Sequence, residues 1–140
     1  PALNERGATA FIGAIAGDRA PELDASAVWV ERDSGLEAIA RFGDPTSDVT
    51  PEIRYRWFHD LVLNNSGAVA FSGSTVNQEG MLSMSLWRDQ GESTELIFAG
   101  RREENANSGG SLDRLTPPSM NASGEMAFRS YSLDSFDAVS

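Results

Sequence analysis

The sequence predicts an all-β protein made of antiparallel four-stranded repeat units of about 58 residues, arranged like the blades of a β-propeller. Three observations support this prediction. The pattern Asn-x-x-Gly-x-x-Ala-Phe occurs three times, a strand containing tryptophan recurs in step with it, and no segment shows an apolar stripe of helical period. A β-sandwich or another β-repeat array is the structural alternative.

The repeated motif is read as "LNERGATAF" (3–11), "LNNSGAVAF" (63–71) and "MNASGEMAF" (120–128), with its asparagines 60 and 57 residues apart. An asparagine side chain can bond backbone groups two residues on, and glycine adopts positive φ without a Cβ clash. The alternation that follows, with Val69 and Phe71 on one side, is typical of a strand. The motif is therefore predicted to be the turn of a β-hairpin. The predicted structural turn residues are Asn4, Gly7, Asn64, Gly67, Asn121 and Gly124.

A second element recurs at the same period. "SAVWVERDSGLEAIARFG" (26–43) is similar to "SMSLWRDQGESTELIFAG" (83–100), and the two tryptophans lie 58 residues apart. Each segment is interrupted by a polar, glycine-containing turn, which indicates a second hairpin. Each unit therefore contains four strands in two hairpins. The predicted structural core residues are Phe11, Trp29, Phe71, Trp87 and Phe128.

The chain is predicted to form one β-repeat region over residues 1–140, with units at 1–58 and 59–116 and a partial unit at 117–140. Closed propellers have about 4–8 blades, and open repeat arrays need roughly three units with caps. We therefore expect the chain to be a segment of a longer repeat protein.

The composition excludes several classes of partner. The net charge is −10 and all eleven cationic residues are arginine, which argues against binding of nucleic acid. The chain has no cysteine, so disulfides and thiolate metal sites are excluded. No apolar run approaches the ~20 residues of a transmembrane helix, so we expect no membrane insertion in this segment.

A catalytic site is not predicted. His59 is the single histidine, and Asp60 beside it would point to the opposite face of a strand. No serine lies in a recognised nucleophile motif. We therefore predict that the protein is not an enzyme and that it has no catalytic, cofactor-binding or metal-binding residues.

Two further features have alternative interpretations. Acidic residues cluster at 31–33, 43–48 and 102–105, and calcium is a possible ligand of such loops, although solvated loop charge is the default interpretation. The segment "RYRWFHD" (54–60) could stack a sugar ring through Trp57, but core packing of Trp57 and Phe58 is favoured.

The motif copies resemble the tandem repeat of bacterial "choice-of-anchor" surface proteins, which follows the pattern N-x-x-G-x-x-A-F. "PALNERGATAF", "AVWV" and "IARFGD" (39–44) match that pattern in the first unit, whereas the second unit has "IFAGRRE" where Gly-Asp would fall. Any role of Asp44 is therefore not carried into the second unit. The resemblance implies a long, secreted or cell-surface-anchored bacterial protein with no established activity.

These observations together predict a non-catalytic extracellular or cell-surface β-repeat scaffold that serves adhesion or assembly. Its partner would be a protein, a glycan, or other copies of the repeat in the same or a neighbouring chain. The alternative is a carbohydrate-binding or hydrolytic β-propeller, which would need matching polar residues from successive units. The matching pair that the sequence offers is Glu31 and Asp89, each two residues after its tryptophan.

Overall fold

The computed structural model describes residues 1–14, 26–47, 50–101 and 113–131. Within these ranges all regular secondary structure is antiparallel β-sheet, which confirms the predicted all-β class. No helix in this part of the chain is long and apolar enough to cross a membrane.

The first two sheets each follow the chain as a simple meander of four strands. The first sheet consists of β1 (Ala2–Leu3), β2 (Thr9–Ala14), β3 (Ser26–Arg32) and β4 (Gly35–Arg41), paired in that order. The second sheet consists of β5 (Arg54–Leu63), β6 (Val69–Val76), β7 (Leu82–Asp89) and β8 (Thr94–Ala99), again paired in order. Because β5 begins at Arg54, the second sheet starts ahead of the boundary predicted at residue 59.

The third group of strands is shorter and repeats the start of this plan. It consists of β9 (Arg114–Leu115), β10 (Ser119–Met120), β11 (Met126–Ala127) and β12 (Ser130–Tyr131), with β10 paired to β11 and β9 to β12. We call the three groups the first, second and third units. The residues flanking the motif turn pair in the same register in each unit, as Leu3–Thr9, Leu63–Val69 and Met120–Met126.

The hydrophobic core lies between the first and second units. Val28 and Val30 of the first unit and Val69 and Phe71 of the second are fully buried in one cluster. The ring of Tyr55 completes it, because it contacts the rings of Phe58, Phe71 and Trp87 at centroid distances of 5.6, 6.1 and 5.4 Å. Side chains of both units therefore fill the same space, as expected for stacked repeats.

The five predicted core aromatics differ in burial. Phe71 and Trp87 are buried, whereas Phe11, Trp29 and Phe128 are partly buried. Phe11 stacks on Trp29 with ring centroids 6.5 Å apart, and Phe128 contacts Phe98 at 5.4 Å.

The prediction that Trp57 packs in the core is wrong, because an irregularity in β5 turns the side chain outward. Tyr55 pairs with Thr75 but Trp57 pairs with Ser74, so β5 has one extra residue at this point. Such a bulge reverses the alternation of side chains that follows it. Trp57 is consequently 39% exposed, while Phe58 is partly buried against the core.

Gly73 on β6 allows this bulge, because a Cβ there would overlap the backbone carbonyl oxygen of Trp57. We expect Gly73→Ala to lower the free energy of unfolding by about 1–3 kcal/mol, since overpacking against backbone is not relieved by a rotamer change. Gly13 occupies the matching position two residues after Phe11, but a Cβ there would meet side-chain atoms of Phe11 at 3.1 Å. Gly13→Ala is the control, and urea denaturation of both variants should show the larger loss for Gly73→Ala. Equal losses would contradict this account of the bulge.

Burial raises the pKa of Tyr55 above its ordinary value, with Asp89 and Asp44 adding to the shift by charge repulsion. The pKa of Tyr55 is higher in the folded chain than in the unfolded chain, where it is about 10, so its contribution to stability is fully present below pH 10. That contribution is lost as the pH rises from about 10 toward the folded pKa. Alkaline titration followed by tyrosinate absorbance should show a late component that Tyr55→Phe removes. The same variant should lose less stability above pH 10 than the parent chain. Ionisation of Tyr55 at the ordinary pH in the folded chain would contradict the burial.

Candidate functional site

The side-chain oxygen of each motif asparagine closes its own turn. Oδ1 of Asn4 accepts hydrogen bonds from the backbone N–H groups of Arg6 and Ala8 at 3.0 and 2.9 Å. Asn64 and Asn121 accept the equivalent pairs at 2.8–3.1 Å. The glycine of each turn has positive φ, +83° at Gly7, +87° at Gly67 and +84° at Gly124. This region of φ favours glycine, because other residues meet a Cβ clash there.

The side-chain nitrogen of the same asparagine connects one unit to the next. Nδ2 of Asn4 donates to the backbone carbonyl of Asn64 at 3.1 Å, and Nδ2 of Asn64 donates to the carbonyl of Asn121 at 2.9 Å. We call this series the asparagine ladder. Nδ2 of Asn121 donates to Oε2 of Glu125 in its own unit at 2.6 Å. Each asparagine of the first two motifs therefore uses both ends of its carboxamide, one within its unit and one between units.

Arginines reinforce the ladder from the tryptophan strands. Arg32 at the end of β3 donates to the carbonyl of Gly67 and to Oδ1 of Asp89, the latter at 2.7 Å. Arg88 near the end of β7 donates to the carbonyl of Gly124 at 2.7 Å. Both guanidinium groups thus reach the glycine carbonyl of the following motif turn.

Asp89 is the acidic residue that accepts the hydrogen bond from Arg32. It is buried, and its carboxylate also accepts bonds from the N–H of Gly91 at 2.8 Å and from Oγ1 of Thr94 at 3.0 Å. Removing one partner of a buried ion pair leaves the other charge unsatisfied, which costs far more than an exposed pair contributes. The ion pair of Arg32 and Asp89 is therefore a structural contact between units.

All the hydrogen bonds described between one motif turn region and the next have the same direction. In addition to those above, the N–H of Glu5 donates to Oδ1 of Asn65 at 2.9 Å, and Oγ of Ser66 donates to the carbonyl of Ala122 at 2.8 Å. The donor in each case belongs to the earlier unit and the acceptor to the later one. At both interfaces the earlier unit therefore supplies the donors and the later unit the acceptors. We call these two surfaces of a unit its donor side and its acceptor side.

An open cleft of about 630 Å³ lies beside the first of these interfaces. Residues of both motif turns line it, and its charged side chains include Arg6 of the first turn and Asp33 and Glu37 of the β3–β4 hairpin. The cleft is polar and contains charges of both signs.

The candidate residues for chemistry do not come together in the structure. His59 is exposed and Asp60 half-buried on β5. The described residues contain no group of three or more acidic or histidine side chains that could hold a metal ion. Part of the predicted acidic clusters, residue 48 and residues 102–105, lies outside the described residues. Glu31 and Asp89 hold equivalent positions, but Asp89 is paired with Arg32 while Glu31 accepts bonds from Thr9.

Two features were missed by the reasoning from sequence. The first is a fourth turn of the same kind at 77–80, where Oδ1 of Asn77 accepts the N–H groups of Glu79 and Met81 at 3.1 and 2.9 Å and Gly80 has φ of +79°. The pattern Asn-x-x-Gly predicts this turn even though Ala-Phe does not follow it. The second is the role of Arg32 and Arg88, which lie at different offsets from their tryptophans. The sequence feature that indicates these contacts is the nearly constant separation between each arginine and the glycine that it contacts, 35 and 36 residues.

The described residues thus form an all-β protein with two four-stranded antiparallel sheets and a shorter third group of strands, whose motif turns are joined by polar contacts. The chain belongs to a family of unknown function (DUF7453), whose model matches residues 1–135. No curated protein and no solved structure gives a significant match to the chain.

The ladder can be tested with a substitution that keeps the turn and removes only the link. Asn64→Asp retains an oxygen for the N–H groups of Ser66 and Ala68 but places an acceptor where Nδ2 met the carbonyl of Asn121. An unsatisfied buried polar group costs about 1–3 kcal/mol, so we expect a loss of that size in urea denaturation at neutral pH.

Asn77→Asp is the matched control. Its turn has the same geometry, but no hydrogen bond from its Nδ2 is recorded within the described ranges. We expect its stability to change by less than about 0.5 kcal/mol, as for most surface substitutions. Losses of equal size in the two variants would show that the asparagines matter for their turns alone.

Proposed function

We propose that the chain is a non-catalytic scaffold module in which β-repeat units stack as propeller-like blades and display loops for adhesion or assembly. The single observation that carries this proposal is the one-directional set of hydrogen bonds between successive motif turns. The asparagines of the motif and the arginines beside them are the side chains best suited to bind a ligand or take part in catalysis. They form hydrogen bonds between units. Their arrangement suits construction, because the asparagine link and the arginine bond to the glycine carbonyl occur at both interfaces.

The blade arrangement is supported by the order of the strands and by which strands are neighbours. In a propeller, each blade is a four-stranded meander, and the first strands of adjacent blades lie side by side around a central channel. Here β5, the first strand of the second sheet, contacts both β1 of the first unit and β10 of the third. The proposed location at the bacterial cell surface rests on the resemblance to choice-of-anchor repeat proteins.

Carbohydrate binding is the second candidate function, and Trp57 is the observation that favours it. Trp57 is 39% exposed, and the guanidinium of Arg56 lies 5.1 Å from its ring centroid. A tryptophan held in this way presents an aromatic face suited to stacking, and bulges such as the one beside it are frequent near binding sites. In the hydrolytic form of this alternative, the active site would lie in the central channel of the propeller-like arrangement.

The two functions are separated by a glycan-array measurement on the full chain. For a scaffold whose partner is a protein or another repeat unit, we expect no saturable glycan binding and no difference between the parent chain and Trp57→Ala. Saturable binding that is lost in Trp57→Ala and retained in Asn64→Asp would overturn the scaffold proposal in favour of the carbohydrate-binding one. The Asn64→Asp variant is the control because it alters the ladder and leaves the Trp57 ring in place.

The proposed location has its own measurement. Antibodies raised against the chain should label intact cells of the organism that produces it. Labelling that requires cell lysis would contradict a surface location.

A further inference from the structure

The acceptor side of the first unit matches that of the second unit at three positions. Glu31 and Asp89 each follow, by two residues, a tryptophan that pairs with the motif phenylalanine. Gly7 and Gly67 hold the same place in their turns, with φ of +83° and +87°. Leu3 and Leu63 precede the motif asparagine and pair in the same register. The two units therefore present the same set of groups toward the preceding position in the array.

In the second unit these three positions are covered by the first. The carboxylate of Asp89 is paired with Arg32, a Cβ on Gly67 would contact the same guanidinium at 3.6 Å, and Leu63 is 9% exposed. The motif glycine of the third unit is covered in the same way, since a Cβ on Gly124 would meet Nε2 of Gln90 at 2.8 Å. Both interfaces thus have a polar contact at the glycine.

In the first unit the same three positions are open. Leu3 is 71% exposed, a Cβ on Gly7 would have no neighbour within 4 Å, and Glu31 is exposed. Within the described ranges, the ion pairs involve Asp89, Glu95 and Asp113 but not Glu31. An exposed apolar side chain, a turn glycine without a neighbour at its Cβ position and an exposed carboxylate therefore lie where the next unit has its interface.

We infer that this surface, formed by Leu3, the Asn4–Gly7 turn and Glu31, docks the donor side of a further repeat unit built like the first one. The occupant presents an asparagine carboxamide to the carbonyl of Asn4 and an arginine guanidinium to the carbonyl of Gly7 and the carboxylate of Glu31. Continuity with the two described interfaces is the argument for this occupant, because both have donors on the earlier unit and acceptors on the later one. Charge complementarity with the carboxylate adds to it. The inference rests on the proposed scaffold function and names its partner surface.

The test extends the full chain with a copy of residues 1–60 placed directly before Pro1. This length keeps the spacing of 60 residues between successive motif asparagines. The Arg32 of the added unit then faces the original Glu31. We expect the extended chain to unfold cooperatively at a higher temperature than the parent chain, with the added unit protected from amide hydrogen exchange.

Charge reversals identify the contact. Glu31→Arg in the original unit should lower the Tm of the extended chain by about 2–4 °C or more, and by clearly less in the parent chain, where the surface is open. Glu37→Arg, at another exposed glutamate of the first unit, is the matched control and should leave the gain intact. Introducing Arg32→Glu into the added unit should restore the Tm of the extended Glu31→Arg chain.

Two results would overturn the inference. One is an extended chain that unfolds at the temperature of the parent, with the added unit unprotected from exchange. The other is a gain in Tm that responds equally to Glu31→Arg and Glu37→Arg without rescue by the charge swap. Because these readouts report the contact between units alone, they are independent of glycan binding and of cell location. The scaffold proposal and this docking surface can therefore fail separately.

Discussion

The rest of the structure depends on the carboxamide of the motif asparagine, which makes two kinds of hydrogen bond at once. Its oxygen satisfies two backbone N–H groups and so fixes the turn, as Asn64 does for Ser66 and Ala68. Its nitrogen is then held in one orientation and meets the carbonyl of the next turn. Aspartate could close the turn but not make the link, and serine is too short to do both. The identity of the residue follows from this double requirement.

The orientation of that carboxamide gives the array a direction. At both described interfaces the asparagine of the earlier motif donates and the backbone of the later motif accepts, so the two sides of a unit are different surfaces. An interface between unlike surfaces is heterologous, and such interfaces produce closed rings or open arrays depending on the rotation per unit. The buried ion pair of Arg32 and Asp89 adds specificity in the same direction, because reversing a unit would bring like groups together. Stacking and polarity are therefore two results of one local geometry.

The sequence predicted those parts of the fold that depend on local chemistry. The motif turns and the strand class follow from short patterns, in which the residue that needs positive φ or period-two alternation is visible in the letters. The outward orientation of Trp57 was not predictable, because it depends on a bulge that needs Gly73 on the neighbouring strand. The contacts of Arg32 were hidden for a similar reason. Its partners lie in the next unit, and the pairing follows from how the sheets stack.

The same geometry determines which function a polar residue of this chain can serve. A site for chemistry needs groups that are buried, convergent and free to change partners during a reaction. Asp89 is buried, but its oxygens are held by Arg32, Gly91 and Thr94, and releasing any of these bonds would weaken the contact between units. Glu31 has the equivalent position and fewer partners, so its carboxylate is available to bind something. Glu31 lines the same cleft as Asn4 and Gly7, whose equivalents in the other two units accept bonds from asparagine and arginine, so the proposed complementary group is a donor of that kind. The proposed assembly would account for both the occupied acid and the open one.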